Sequence, residues 1–435
     1  MRFSVNGNKK VFQNAKWIVI CKVIQSLLQM VIGMLSARYL GPSNYGLISY
    51  ASSVVAFAVP FMQLGMGETL VREYVIDPEK DGEILGTGLV MNLVAGVACI
   101  IGVICFALAA NAGEPTTIIV CALYSLSLLF QAVEMTKYWF QAKLLSKYSS
   151  LAMLWAYLVV SAYKIFLLVY QKNVYWFAVS YCVEYCVVGV ILLIVYKRIG
   201  RQKIRFSLAT ARDLFSRSKY YIMASLMVTV YQNTDHVMLK MISGDAENGF
   251  YATAITCTII VSFVYTAIID SMRPVILESK QESQNVFENN VSRLYSLVIY
   301  LSLAQSICFT LLAKPIVLIL YGPDYLPAVN VLRIIVWQLA FSYMGTVRNV
   351  WILGEGQYRL LWRINLIGVV ANVILNAVMI PKWGACGAAF ASVLTQFFTN
   401  FVVGFFMKSI RMNNRLLLRG LNPGYVLEVF AKIKS

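Results

Sequence analysis

Charged residues are scarce in this sequence, and histidine is almost absent. Of the 435 residues, 13% are charged and 59% are hydrophobic, and His236 is the single histidine. With a mean hydropathy of +0.69, the chain has too little polar surface for a soluble globular protein. The scarcity of charge therefore places the chain in a bilayer.

The sequence also gives little support to metal or disulfide chemistry. The nine cysteines lie in or at the ends of apolar segments, and no Cys-x-x-Cys pair occurs. Cys182 and Cys186 are four residues apart, but a zinc site would need further ligands that one histidine cannot supply. We predict no metal site, no cofactor and no catalytic residue.

Long apolar runs, in contrast, are abundant. A membrane-spanning helix needs about 20 mostly apolar residues, and these runs lack the two-residue alternation of a membrane β-barrel. We predict an all-α integral membrane protein with twelve transmembrane helices. The predicted spans are 15–37, 46–65, 84–110, 116–136, 149–170, 174–196, 220–242, 249–272, 291–313, 328–350, 360–380 and 385–407.

Basic residues determine the predicted orientation. With a cytosolic N-terminus, the inner segments hold 29 of the 37 lysines and arginines, whereas the outer loops hold 6. Because cytoplasmic loops are rich in Lys and Arg, we predict that both termini are cytosolic. The net charge of +17 then reflects membrane topology, and we expect no nucleic-acid partner.

The longest polar connection divides the chain into two halves. This basic linker, residues 197–219, separates an N-terminal lobe of six predicted helices (1–196) from a C-terminal lobe of six (220–407). A basic cytosolic tail, 408–435, follows. We therefore predict two six-helix lobes around a central cavity.

The two predicted lobes share a repeated pattern. The segments LGPSNYGLIS (40–49) and SGDAENGFYA (243–252) both contain Gly-x4-Gly. Gln29 and Gln232 are separated by 203 residues, the same spacing as these glycines. Internal repeats of this kind are common in transporters.

Polar side chains form stripes along several predicted spans. Residues three or four apart share a helix face, and polar faces within a bundle indicate a hydrated interior. The polar residues of these predicted stripes include Lys22, Gln25, Gln29, Glu134, Lys164, Glu184, Gln232, His236, Asn372 and Asn376, with Asp235 on the flank of the stripe on the seventh span.

These stripes have more than one interpretation. Burying a lysine in the membrane costs roughly 2.5–3.5 kcal/mol, so Lys22 and Lys164 either hold an anionic headgroup in a wet cleft or pair with Glu134 or Glu184. The asparagines also fit hydrogen bonding between helices. His236 fits a cavity hydrogen bond better than a proton relay, although the neighbouring aspartate keeps the relay open.

Four segments, in order along essentially the whole chain, carry a family resemblance. They are SARYLGPSNYGLISYASSV (36–54), GMGETLVREYVID (65–77), LYGPDYLPAVNVLRII (320–335) and VANVILNAVMIPKWGACGAAFASVLTQ (370–396). Together they resemble the Wzx-type polysaccharide-repeat flippases of the multidrug/oligosaccharidyl-lipid/polysaccharide exporter superfamily.

The resemblance implies a V-shaped bundle with helices 1 and 7 beside a cavity that opens alternately to each side. Its cargo would be an undecaprenyl-pyrophosphate-linked oligosaccharide, crossing the bacterial inner membrane from the cytosolic to the periplasmic leaflet for O-antigen, capsule or exopolysaccharide. A polysaccharide polymerase and a chain-length regulator would be further candidate partners. Lys22 matches a basic residue of helix 1 in placement, and Arg273 resembles a cavity arginine.

We therefore expect a flippase with alternating access. The predicted pyrophosphate-binding residues are Lys22, Lys164 and Arg273, because lysine binds phosphate as a point charge. The predicted polar cavity lining is Gln25, Gln29, Gln232, His236 and Asn372. The candidates for ion coupling are Asp235, Asp270, Glu134 and Glu184.

Two alternatives remain open. A multidrug or cation antiporter of the same superfamily would centre on buried carboxylates, whereas this chain has lysines of equal prominence. A membrane polysaccharide polymerase or ligase would have a sizeable outer loop with Arg and His, whereas the predicted outer loops are short and Asp-x-Asp does not occur. We therefore favour a transporter over an enzyme.

Overall fold

The computed structural model describes residues 5–200, 202–357 and 359–425, and their regular structure is helical. The α-helices are α1 (Val5–Met62), α2 (Gly67–Ile76), α3 (Asp81–Ala110), α4 (Pro115–Ser125), α5 (Ser127–Glu134), α6 (Lys137–Ala142), α7 (Ser146–Val169), α8 (Val174–Ile199), α9 (Leu208–Ser243), α10 (Asp245–Glu282), α11 (Gln284–Leu320), α12 (Ala328–Gly354), α13 (Arg359–Phe397), α14 (Val403–Phe406) and α15 (Arg411–Gly420). A π-helical turn, Phe398–Val402, joins α13 to α14. The all-α prediction is confirmed.

The predicted spans fall on these helices in chain order. Within the described ranges, eight helical stretches are long and apolar enough to cross a membrane. Two of them, Ile20–Ile76 and Arg359–Phe406, each overlap two predicted spans. The remaining two spans lie in α9 and α10, which are not among these eight stretches. Residues 426–435 of the predicted tail lie outside the described ranges.

The fourth predicted span differs from the expectation of one continuous helix. The structure divides residues 116–136 between α4 and α5, and α6 follows as a separate short helix. Ser125 Oγ donates to the carbonyl of Ala122 and Thr136 Oγ1 to that of Val133, each at 2.8 Å. Such side-chain hydrogen bonds compete with the helical ladder and bend it. Hydropathy does not detect this effect.

The chain forms two compact units. Unit 1 comprises Met1–Leu40 and Leu47–Asn233, and unit 2 comprises Gly41–Gly46 and Thr234–Ser435. The turn after the first predicted span therefore belongs to unit 2, although the helices on both sides of it belong to unit 1.

Each unit has its own buried core. In unit 1, α2, α3, α6, α7 and α8 enclose large side chains, among them Leu70, Tyr74, Trp139, Phe140 and Tyr196. In unit 2, α10 to α13 enclose Phe287, Tyr295, Val347 and Trp351, and α15 packs its apolar face onto α11 through Leu416 and Leu417. Burial of this apolar surface stabilises each unit.

The repeated turns of the sequence have the same backbone conformation. Gly41 has φ 71° and ψ 170°, and Gly244 has φ 92° and ψ 178°. Side chains disfavour these positive φ values, so glycine is needed at both positions. The conformation supports the repeat inferred from the sequence.

The two repeated turns also contact each other within unit 2. A Cβ atom on Gly46 would lie 1.8 Å from the carbonyl oxygen of Asp245, and one on Gly249 would lie 2.0 Å from that of Pro42. The two contacts are equivalent in the repeat. At the spacing of 203 residues, Pro42 corresponds to Asp245 and Gly46 to Gly249. The packing is therefore reciprocal and involves backbone atoms on both sides.

Candidate functional site

A buried carboxylate lies at the centre of a polar cluster in unit 2. Asp235 on α9 is 6% exposed. Its Oδ2 accepts hydrogen bonds from the Tyr251 hydroxyl at 2.5 Å and from Ser392 Oγ at 2.6 Å, and its Oδ1 accepts from Asn376 Nδ2 at 2.5 Å. Asn376 Nδ2 also lies 3.1 Å from Asn372 Oδ1. We call these five residues the Asp235 cluster.

The shape of α13 brings two of these residues together. Asn376 and Ser392 are 16 residues apart on one long helix, but α13 is kinked at Gly384, where φ is 52° and ψ is −130°. Pro381 precedes the kink, and Glu247 Oε2 accepts a hydrogen bond from the amide of Ala385 at 2.6 Å just after it. The kink allows both limbs of the helix to reach the same carboxylate.

The surroundings of Asp235 differ from those of the other predicted ion-coupling residues. Its three hydrogen-bond donors are neutral hydroxyl and amide groups. In addition, Asn376 Oδ1 is buried without a hydrogen-bond partner in the described residues. The other three carboxylates face cations: Asp270 is paired with Arg273 at 3.0 Å, Glu134 with Lys137 at 2.7 Å, and Glu184 interacts electrostatically with Lys164.

His236 lies beside this cluster in a well-defined hydrogen-bonded position. Its Nδ1 is 2.7 Å from Asn248 Oδ1, while Asn248 Nδ2 donates to the carbonyl of Gly46 at 2.7 Å. Because the carbonyl requires a donor, it fixes the orientation of the Asn248 amide, and Nδ1 of His236 must then carry a hydrogen. His236 therefore donates a hydrogen bond within unit 2, and its role in lining a cavity stays a prediction.

In unit 1, Lys164 occupies a half-buried site between α7 and α8. Its Nζ lies 5.3 Å from the centroid of the Tyr181 ring, and it interacts electrostatically with Glu184. Tyr124 packs against Tyr181 with ring centroids 4.3 Å apart. The aromatic face and the carboxylate both stabilise the ammonium group. Of the two predicted pairings for this lysine, the structure places Glu184 beside it.

The other predicted site residues lie on the helices expected for them. Lys22 and Gln29 are exposed on α1, and Gln25 on the same helix is half-buried. Gln232 is exposed on α9, in register with Gln29 in the repeat. Arg273 and its partner Asp270 are both substantially exposed on α10.

Three further residues were not identified from the sequence. Tyr251 and Ser392 complete the Asp235 cluster, and Arg348 on α12 is 4% exposed inside unit 2. The Arg348 guanidinium donates to the carbonyl of Thr399 at 2.9 Å, within the π-helical turn. A π-helical turn widens the helix and is frequent at functional sites.

Comparison with known proteins gives a consistent result. The family described as "Polysaccharide biosynthesis protein" matches residues 11–280. The chain is 20% identical over 409 residues to the capsular polysaccharide biosynthesis protein CapF of Staphylococcus aureus, covering 92% of this chain and 99% of CapF. It is 26% identical over 191 residues to the probable low-salt glycan biosynthesis flippase Agl15 of Haloferax volcanii, covering 43% of this chain and 40% of Agl15.

Among solved structures, the lipid II flippase MurJ in an inward closed conformation is similar to this chain. The TM-score is 0.73 at 14% sequence identity, and the match covers 95% of this chain and 92% of MurJ. At this identity the similarity concerns the fold, and it agrees with the predicted twelve-helix architecture. Since the family match extends over more than half of the sequence, the chain belongs to the polysaccharide biosynthesis protein family.

Proposed function

We propose that this protein is a flippase that moves a lipid-linked saccharide across the membrane. The observation that carries the proposal is the conjunction of the family membership with ionisable groups held inside membrane helices of both units, Lys164 in unit 1 and Asp235 in unit 2. Ionisable residues within membrane segments usually mark substrate or ion pathways. A transporter of an anionic lipid-linked substrate coupled to an ion needs a pathway for each of the two.

The substrate headgroup is proposed to be a pyrophosphate carrying an oligosaccharide, bound by Lys22, Lys164 and Arg273. Lys164 is held by an aromatic face and a carboxylate but is only half-buried. Because the site is partly open, a phosphate oxygen can reach the ammonium group and replace Glu184 as its partner. The uncharged residues Gln25, Gln29, Gln232, His236 and Asn372 would contact the sugars, and the polyprenyl chain would remain in lipid.

The ion-coupling residue is proposed to be Asp235. The three described hydrogen-bond donors to this carboxylate are neutral, so a coupling ion would not have to displace a lysine or arginine from it. The unpartnered Asn376 Oδ1 adds an oxygen ligand of the type that hard cations prefer. Glu134, Glu184 and Asp270 are weaker candidates because each has a basic partner.

The proposed setting is the bacterial inner membrane with both termini in the cytosol, as the distribution of basic residues favours. We base the finer assignments on the resemblance of the sequence to Wzx-type flippases. They are an undecaprenyl carrier and a product destined for O-antigen, capsule or exopolysaccharide. A polymerase and a chain-length regulator would then act on the translocated repeat units.

The proposal is tested by deleting the gene in the source organism and measuring its lipid-linked oligosaccharides and surface polysaccharide. Single repeat units should accumulate on the lipid carrier and long surface polymer should disappear. Expression of the wild-type protein should restore the polymer. Unchanged polymer together with increased sensitivity to cationic dyes would instead support a cation antiporter.

Lys22→Ala is expected to restore little polymer in the same deletion strain. Loss of a charged hydrogen bond to phosphate costs roughly 1.5–3 kcal/mol, which corresponds to at least about tenfold weaker binding. Lys172→Ala, an exposed lysine of a predicted outer loop, is the matched control and should complement fully. Full complementation by Lys22→Ala at wild-type protein levels would remove Lys22 from the headgroup site.

A further inference from the structure

Helix α15 of unit 2 has one buried face and one basic face. It follows the predicted span 385–407 after a short 3₁₀ turn. The residues of the buried face are Asn413, Asn414, Leu416, Leu417 and Gly420. Arg411, Arg415 and Arg419 recur every four residues and are all exposed. Residues four apart share a helix face, so the three arginines form a stripe opposite the buried face. We call it the arginine stripe.

Hydrogen bonds to α11 fix α15 in place. Near its start, Asn413 Oδ1 accepts from the Tyr295 hydroxyl at 2.8 Å. Just after its end, the carbonyl of Leu421 accepts from the Tyr300 hydroxyl at 2.7 Å. The helix is therefore anchored at both ends, and charged groups on a fixed helix are preorganised for binding.

The contacts of α15 also indicate its depth in the membrane. Asn413 and Gly420 both meet Tyr295, since a Cβ atom on Gly420 would lie 2.6 Å from the Cβ of Tyr295. This tyrosine belongs to the start of the predicted span 291–313, and the predicted span 385–407 ends immediately before α15. Phospholipid headgroups lie at the ends of membrane spans. The arginine stripe is therefore at the level of the headgroups.

The described residues neutralise the stripe only in part. The Arg419 guanidinium lies 3.8 Å from the Glu288 carboxylate. In contrast, neither Arg411 nor Arg415 forms an ion pair with another residue of the described ranges. Residues 426–435 lie outside those ranges and contain two lysines and one glutamate, so their sequence does not reverse the sign of the charge. The stripe thus complements an anionic surface.

Apolar side chains lie next to the arginines in the sequence and are also exposed. Leu418 is 43% exposed and Leu421 is 45% exposed, and Phe406 at the end of the preceding span is 79% exposed. Basic and large apolar side chains together are typical of surfaces in the membrane interface. An acidic protein segment would match only the arginines. A phospholipid matches both, because its phosphate accepts from guanidinium groups while its acyl chains cover the apolar side chains.

We infer that the arginine stripe binds anionic phospholipid of the surrounding bilayer, with Arg411 and Arg415 contacting the phosphate groups. Guanidinium groups bind phosphate through two parallel hydrogen bonds. Neighbouring arginines four residues apart are separated by about 6 Å at their Cβ atoms, so both can reach one headgroup. The bound lipid belongs to the membrane and is not the transported saccharide. The inference therefore stands or falls independently of the proposed function.

The test measures lipid binding to the full-length protein in dodecyl maltoside micelles by native mass spectrometry, with phosphatidylglycerol and phosphatidylcholine as probes. The wild-type protein should prefer phosphatidylglycerol. The double variant Arg411→Gln/Arg415→Gln should bind the first phosphatidylglycerol about 25-fold more weakly, because each basic residue near an anionic membrane contributes about fivefold. Its affinity for phosphatidylcholine should not change. Glutamine is a good helix former and both side chains are exposed, so the melting temperature without added lipid should match that of the wild type.

Lys197→Gln/Arg198→Gln is the matched control, because it removes two exposed charges from the last turn of α8. It should keep the wild-type affinity for phosphatidylglycerol. Wild-type affinity in the arginine double variant would overturn the inference. An equal loss in the control would overturn it too, because the preference would then reflect overall charge.

Inorganic phosphate separates a lipid site from a site for soluble anions. Added at constant ionic strength, it should not displace phosphatidylglycerol from the wild-type protein, since it has no acyl chains. Displacement would overturn the inference. If the double variant does not fold, Arg415→Gln alone gives the same test, with an expected loss of about fivefold.

Discussion

Asp235→Asn is expected to abolish the response of saccharide transport to an ion gradient while leaving the protein folded. The substitution preserves the shape of the side chain and removes its charge. The amide oxygen can still accept from Asn376, and the amide nitrogen can donate to the hydroxyl oxygens of Tyr251 and Ser392, which accept as well as donate. The hydrogen bonds of the cluster therefore survive, but a proton or sodium ion loses its counter-charge.

The measurement is transport of lipid-linked saccharide extracted from the source organism into proteoliposomes, with and without an imposed Na⁺ or H⁺ gradient. Wild-type transport should rise with one gradient, by the roughly 5- to 150-fold that couplings of 1–3 kcal/mol produce, and Asp235→Asn should not respond. Asp213→Asn, at an exposed ion pair on the same helix, is the control and should respond normally because surface pairs contribute little. A full gradient response in Asp235→Asn would exclude this residue as the coupling site.

Asp235→Ala should behave differently from the asparagine variant. Alanine removes the buried acceptor that Tyr251, Ser392 and Asn376 share, and each group that is left unpaired costs roughly 1–3 kcal/mol. We therefore expect a lower melting temperature in addition to the lost gradient response. Comparison of the two variants separates the contribution of Asp235 to stability from its contribution to coupling.

The sequence identified some members of the Asp235 cluster and missed others for a physical reason. Asparagine is unusual in an apolar helix, so Asn372 and Asn376 stand out in their span. Tyr251 is one of 26 tyrosines, and Ser392 lies in a run of small residues, so neither is distinctive. Their role depends on the kink at Gly384, which brings separate helix limbs to one carboxylate. A pattern within a single helix does not contain that information.

The helical architecture was more predictable than the location and burial of individual charged side chains. Long apolar runs and the asymmetry of basic residues depend on the bilayer alone, which acts on every span in the same way. Arg348 shows where this reasoning ends. Counting charges places it with the inner ends of the helices, but the structure buries it against the carbonyl of Thr399. The π-helical turn provides a carbonyl acceptor, and the hydrogen bond to it compensates for the burial of the Arg348 guanidinium.

Gly46→Val and Gly249→Val are each expected to destabilise unit 2 strongly. A Cβ atom at these positions would lie 1.8 Å and 2.0 Å from backbone carbonyl oxygens, and backbone atoms cannot move aside as a side chain can. Overpacking in a well-packed region costs about 1–3 kcal/mol, and contacts this short place both variants at or above the top of that range. Melting temperature and yield of folded protein in detergent measure the effect.

The reciprocal geometry gives this prediction a sharper form. Since both substitutions separate the same pair of turns, the double variant should lose less stability than the two single variants added together. Gly102→Ala is the matched control, because a Cβ there has no neighbour within 4 Å and α3 should gain up to about 1 kcal/mol in helix propensity. Additive losses in the double variant would mean that Gly46 and Gly249 act in independent contacts. Wild-type stability in either single variant would mean that the repeated turns do not pack together in the membrane protein.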